Sequence, residues 1–174
     1  MNSRILVAAV AVSISAFTGA ACSDDDDGPS GLPTTFVFTS TLNAANEVPP
    51  VTNAGPNPAG TLTLTMTVTR DAGGAITSAT PVFVVNMTGF TAGTTVTAAH
   101  VHNNVAGQNA GIFLDTGLGG AVVLANGTGS FTQTAPTTTV AQANAIIANP
   151  AGHYFNVHTT NNPGGAIRGQ LALQ

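Results

Sequence analysis

The stretch Thr61-Leu62-Thr63-Leu64-Thr65-Met66-Thr67-Val68-Thr69 alternates threonine with an apolar residue at every position. Successive side chains of an extended chain point to opposite faces, so Leu62, Leu64, Met66 and Val68 fall on one face and the five threonines on the other. That is a strand with one face on a core and one in water. Working outward, Arg70-Asp71-Ala72-Gly73-Gly74 reads as a hairpin turn, with Arg70 and Asp71 as solvated loop residues, and Ile76 to Met87 as the returning strand. On the other side, Phe36, Phe38 and Leu42 share one parity of an earlier strand.

The same reasoning predicts strands at about Thr94 to Asn103, Gly111 to Asp115, Ala121 to Leu124, Thr128 to Thr132, His153 to Thr160 and Ala166 to Leu173. Asn126-Gly127 marks a tight hairpin between two of them. One segment departs from period two: Val140, Ala143, Ile146 and Ile147 stand at helical spacing, predicting a short helix over Thr139 to Ala148 that ends at Asn149-Pro150. Many short strands with turn signals between them define an all-β fold, an antiparallel β-sandwich of immunoglobulin-like topology with one short helix.

Composition narrows the partners. Charged residues make up 6% of the chain, against roughly 25% in ordinary soluble domains, and there is no lysine. Beyond residue 27 the formal charges are Glu47, Arg70, Asp71, Asp115 and Arg168. No basic stripe is available to neutralise phosphates, which argues against nucleic acid as a partner.

The first 33 residues have a different logic. Arg4 precedes an apolar run from Ile5 to Phe17, too short to span a bilayer, and small residues Thr18-Gly19-Ala20-Ala21 lead into Cys22, the only cysteine. Thr18 to Cys22 resembles a bacterial lipobox, with Gly19 where a leucine-like residue is usual. The expectation is a signal peptide over residues 1–21, lipidation at Cys22 and an acidic, disordered tether to residue 33, in which Asp24 to Asp27 and Gly28-Pro29-Ser30-Gly31 cannot build a core. The membrane, reached through lipid on Cys22, is then one partner, and the location is the bacterial cell envelope, periplasmic or at the cell surface. Residues 34–174 form one domain of ordinary size.

Within that domain the chemistry-bearing residues are few. His100 and His102 are two apart on one strand and share a face, roughly 6.5 to 7 Å apart along it. If the strand holding His158 pairs near them, a third imidazole completes a mononuclear copper or zinc site. His153 has the opposite parity to His158 and belongs to the other face. The alternative makes these histidines part of a hydrogen-bonded polar face together with neighbours such as Asn156. Glu47, before Val48-Pro49-Pro50, and Arg168, between glycine-rich flanks, are expected to pair in so charge-poor a domain. A structural tie is one reading of that pair, and contact with an anionic or carbonyl-bearing ligand is the other.

Four motifs in order carry a resemblance: Asn46-Glu47-Val48-Pro49-Pro50, Ala99-His100-Val101-His102, Tyr154-Phe155-Asn156-Val157-His158-Thr159, and Pro163-Gly164-Gly165-Ala166-Ile167-Arg168-Gly169-Gln170-Leu171. Together they resemble the CHRD domain, a module named for chordin and widespread in bacterial secreted proteins. The resemblance covers nearly all of Phe36 to Leu173 and implies an immunoglobulin-like sandwich without a known reaction. The family's last motif usually has glutamate where this chain has Ala166.

His100-Val101-His102 also resembles the copper-binding strand of Cu/Zn superoxide dismutase. Four histidines in the whole chain are too few for that dinuclear site. No Gly-x-Ser-x-Gly, paired carboxylates or phosphate-binding glycine loop supports catalysis. The functional expectation is a non-enzymatic binding or envelope-structural module whose ligand is a protein, polymer or small molecule. The metal-binding reading stands as the alternative.

Overall fold

The computed structural model describes residues 31–174, so the expected signal segment, Cys22 and most of the acidic tether lie outside the described residues. Ten strands form: β1 (Thr35–Asn43), β2 (Ala59–Arg70), β3 (Ile76–Thr88), β4 (Thr94–His102), β5 (Ile112–Asp115), β6 (Val122–Leu124), β7 (Gly129–Thr134), β8 (Tyr154–Thr159), β9 (Ile167–Gln170) and β10 (Ala172–Leu173). Among the described residues one α-helix, α1 (Val140–Ala148), lies between β7 and β8.

All strand pairs are antiparallel, and the fold is all-β as the alternation requires. The order is β5-β4-β8-β9-β1-β2-β3-β7, with β6 continuing alongside β4 and β10 alongside β1. The strands make one curled sheet rather than two unlinked layers. Its halves, β1-β2-β3-β7 and β5-β4-β8-β9, are joined through a single β1–β9 pair, Asn43 with Arg168. The chain then steps between the halves at Leu171, leaving β9 and entering β10 beside β1. Face-to-face contact of the halves buries Leu62, Leu64 and Met66 of β2 with Val101 of β4 and Val157 of β8. Phe83 of β3 stacks on Phe155 of β8 at 5.9 Å and 21°. The result is sandwich-like, with one layer of side chains between the halves.

The β2 alternation is realised without a slip, because a one-residue shift would turn Leu62 to Val68 out to water. The turn after it holds Asp71, whose Oδ1 accepts from the amides of Gly73 and Ala75. Arg70 departs from the solvated role expected of it: Nε donates to Pro33 O, Nη1 to Gly74 O, and the guanidinium lies over Phe36. Its aliphatic stem and flat head cover the half-buried Phe36 ring. The helix starts where Thr139 and Gln142 form a reciprocal capping box, and it buries Ala143 and Ile146.

Candidate metal centre

Strands β4, β8 and β9 turn their apolar side chains inward, with Ala99 and Val101, Phe155 and Val157, and Ile167 in the core. The alternate positions therefore face outward: His100 and His102, then Tyr154, Asn156 and His158, then Arg168 and Gln170. An outer sheet face is ordinarily wet, yet His100, His102, Tyr154, Asn156 and Arg168 are buried and His158 is half-buried. Three loops roof this face. Residues 103–111 cover Arg168 and Tyr154: Arg168 donates through Nη1 to Asn109 Oδ1 (2.9 Å) and through Nη2 to Gln108 O (3.1 Å), while Ala110 N donates to Tyr154 Oη. The segment after β1 closes a second side, where Asn46 Nδ2 donates to Arg168 O and Val48 O accepts from Asn109 Nδ2. Residues 160–166 close the third and place Pro163 O 2.9 Å from His158 Nδ1.

Pairing of β4 with β8 sets His100 opposite Asn156 and His102 opposite Tyr154, with His158 two residues further along, opposite Ala98 and on the same face. This brings the three expected imidazoles together, one nitrogen of each lying within 4.8 Å of the others. His100 Nδ1 and His158 Nε2 are 3.0 Å apart. His102 stacks on Tyr154 at 4.7 Å and 9°, and Arg168 Cζ sits 4.1 Å from the centre of that Tyr154 ring. Ring position is therefore fixed by packing as well as by hydrogen bonds. His153 is separate, as its parity requires: Nδ1 lies 2.9 Å from Asn149 O and its ring packs on Phe113.

The outer nitrogens have defined partners. A carbonyl can only accept, so His158 Nδ1 carries its proton toward Pro163 O, leaving the Nε2 lone pair turned inward. His102 Nδ1 likewise donates to Ala110 O and Gly111 O, both at 3.0 Å, leaving the Nε2 lone pair toward the Asn156 amide 2.9 Å away, whose NH₂ end is the one able to donate to it. His100 Nδ1, 3.0 Å from the His158 Nε2 lone pair, donates to it, while His100 Nε2 lies 3.8 Å from Asp115 Oδ1, too far for a hydrogen bond. Burial, aided by the neighbouring His158 and His102, pulls the His100 pKa down from 6.5 to about 4 against the opposing pull of Asp115. Burial lowers His158 as well, with the Pro163 carbonyl opposing it. His100 and His158 are thus held toward the neutral form, which is the state that ligates metals.

Glu47 and Arg168 sit side by side in the same region, 5% and 2% exposed, but the expected ion pair is not made. The guanidinium is taken by Gln108 O and Asn109 Oδ1 instead, because the 103–111 loop reaches it from above. Glu47 Oε1 has no hydrogen-bond partner, and burial raises its pKa from 4.5 to about 7 although Arg168 pulls the other way. Clefts of about 400 and 440 Å³ adjoin Glu47, one shared with Arg168 and Gln170 and the other with Asn162 and Gly165. The sequence pointed to the three histidines, Asn156, Glu47 and Arg168. It did not point to Tyr154 as a stacking platform or to the carbonyls of Ala110, Gly111 and Pro163, since a backbone oxygen leaves no mark in residue type.

The outer-face site and the curled sheet define a β-module with a roofed polar surface. The sequence profile of the CHRD domain matches residues 38–171, and the chain belongs to the CHRD domain family. No curated protein and no solved structure matches it.

Proposed function

We propose that this chain is a non-enzymatic CHRD binding module of the bacterial cell envelope, held there by lipid on Cys22, and that its domain binds one copper or zinc ion through His100, His102 and His158. One observation carries the metal reading: three imidazoles converge under the loops, one nitrogen of each within 4.8 Å of the others. The Nε2 lone pairs of His158 and His102 turn inward, and moving one proton from His100 Nδ1 to its Nε2 frees the third. Charging the cluster with protons is disfavoured at neutral pH, since burial opposes charging His100 and His158. A divalent late first-row ion suits an all-imidazole set. The non-ligating nitrogens of His158 and His102 already have outer acceptors, Pro163 O and the Ala110 and Gly111 carbonyls, which is how ligating histidines are held, and Asp115 stands 3.8 Å from His100 Nε2.

Metal–nitrogen bonds of about 2.0–2.1 Å allow ligand atoms no further apart than roughly 4.2 Å, so a 4.8 Å span closes with sub-ångström side-chain shifts. The full chain, purified without a histidine tag and stripped with EDTA, is titrated calorimetrically with copper(II) and with zinc(II), alongside His102→Ala and His158→Ala. One ion per chain is expected, with affinity falling at least 100-fold in both variants while their circular dichroism stays that of the wild type. Binding no better than the variants by either ion overturns the metal reading and leaves the binding-module reading with the Glu47 clefts as its site. Release of the Cys22→Ser protein from the membrane fraction tests the anchor separately.

A further inference from the structure

The metal reading leaves Asn156 and Glu47 unexplained. Asn156 is buried, lies opposite His100, and reaches His102 Nε2 with its amide. Glu47 Oε1 is buried with no partner. The two meet at Gly165, where a Cβ would stand 2.5 Å from Glu47 Oε1 and 2.8 Å from Asn156 Nδ2. Gly165 has φ +132°, a conformation that side chains rarely adopt, so glycine both permits the turn and keeps this space open. No direct hydrogen bond joins the carboxyl and the amide, yet a small side-chain rotation or one bridging water spans the opening.

We propose that Asn156 and Glu47 are positioning residues of the metal site, with the Asn156 amide turning over between a metal-free and a metal-bound arrangement and Glu47 exchanging its proton as it does so. This rests on the metal-binding reading. Counting donors gives the two arrangements. Without metal, His102 Nε2 needs a donor, so Asn156 presents its NH₂ to His102 and its oxygen to Glu47, which must then be the protonated acid donating its O–H. With metal, the His102 Nε2 lone pair is given to the ion. The amide then keeps its oxygen toward the cation and donates N–H to Glu47, now a carboxylate, whose proton has gone to solvent.

The balance is one ion bound and one proton released. The proton between His100 and His158 moves to His100 Nε2, toward Asp115, and does not leave the protein. The charged group acting on Glu47 among the described residues is Arg168 of β9; the segments 48–53 and 161–165 around it carry no formal charge. A Glu47 pKa near 7 makes the exchange visible slightly below neutrality.

The test is calorimetric titration of the full chain with zinc(II) at pH 6, in several buffers of different ionisation enthalpy, for wild type and Glu47→Gln. Glutamine keeps the size of the side chain and its ability to hydrogen-bond to Asn156, but has no proton to lose. Wild type is expected to release about one proton more per ion than Glu47→Gln, and its affinity to rise up to tenfold more per pH unit between pH 5 and 7. A merely structural Glu47 would shift affinity and leave the proton count alone. Equal proton counts, or parallel affinity profiles, overturn the coupling while leaving the metal site standing. Failure of the wild type to bind zinc overturns both. Asn156→Leu gives a second check: it should bind zinc with the proton count of Glu47→Gln, and a count equal to the wild type's refutes the role of the amide.

Discussion

Replacing Glu47 with glutamine in the metal-free protein should change how stability depends on pH. Burial raises the Glu47 pKa from 4.5 to about 7, so between those values the folded state holds a proton that the unfolded chain has lost. Stability from this group is fully present below pH 4.5 and disappears as pH rises through 7. At about 1.4 kcal/mol for each pH unit separating the two values, the whole effect is about 3 kcal/mol, and water in the flanking clefts reduces the working figure to about 2 kcal/mol. His100 acts with the opposite sign. Its pKa is lowered from 6.5 to about 4, so its contribution grows as pH rises between those values, and the lowered pKa of His158 adds to that trend.

In the wild type these slopes oppose one another and the net profile is shallow from pH 4.5 to 6.5. Glu47→Gln removes one of them. In urea denaturation with EDTA, the variant should gain on the wild type by about 2 kcal/mol between pH 5 and pH 8, a midpoint difference of about 1 M for an m-value near 2 kcal/mol/M. It should also show a stability that climbs with pH where the wild type is nearly flat. A difference between the two proteins that stays constant from pH 5 to pH 8 would refute the argument.

Arg168→Ala removes two charge-assisted hydrogen bonds and the stack on Tyr154, and should cost about 3–5 kcal/mol, read as a fall in urea midpoint at pH 5. It should also raise the Glu47 pKa above that of the wild type, because the one cation holding it down is gone. Gly165→Ala forces a side chain into the space beside Glu47 Oε1 and Asn156 Nδ2 at φ +132°, and should cost about 1–3 kcal/mol in the same assay. Phe155→Ala removes the stacked partner of Phe83 between the two sheet halves and should cost about 3–5 kcal/mol, with no change in metal stoichiometry.

Local pattern alone determined the elements. Alternation is a property of adjacent residues, so β2, β3, β4 and the helix after Thr139 were legible to within a residue or two, and so was the shared face of His100 and His102. The parity that separates His153 from His158 came from the same rule. What local pattern cannot hold is which strands lie side by side. That His158 meets His100 depends on β4 pairing with β8 in one register, across 58 residues of chain. The curl into one sheet, joined at Asn43 and Arg168, is likewise a matter of closure and not of period.

Burial of the outer face was the least predictable feature. By alternation alone His100, Tyr154, Asn156 and Arg168 belong to the water-facing side, and they are buried because three loops fold over them. The same loops decided the fate of the charged pair. Composition rightly made Glu47 and Arg168 unusual, but charge complementarity does not specify a partner when neutral carbonyl oxygens compete. Gln108 O and Asn109 Oδ1 took the guanidinium and left the carboxylate beside Asn156. The residues of the site were thus written in the sequence, while their protonation and partners were settled only by long-range packing, which sets the desolvation and the geometry on which both depend.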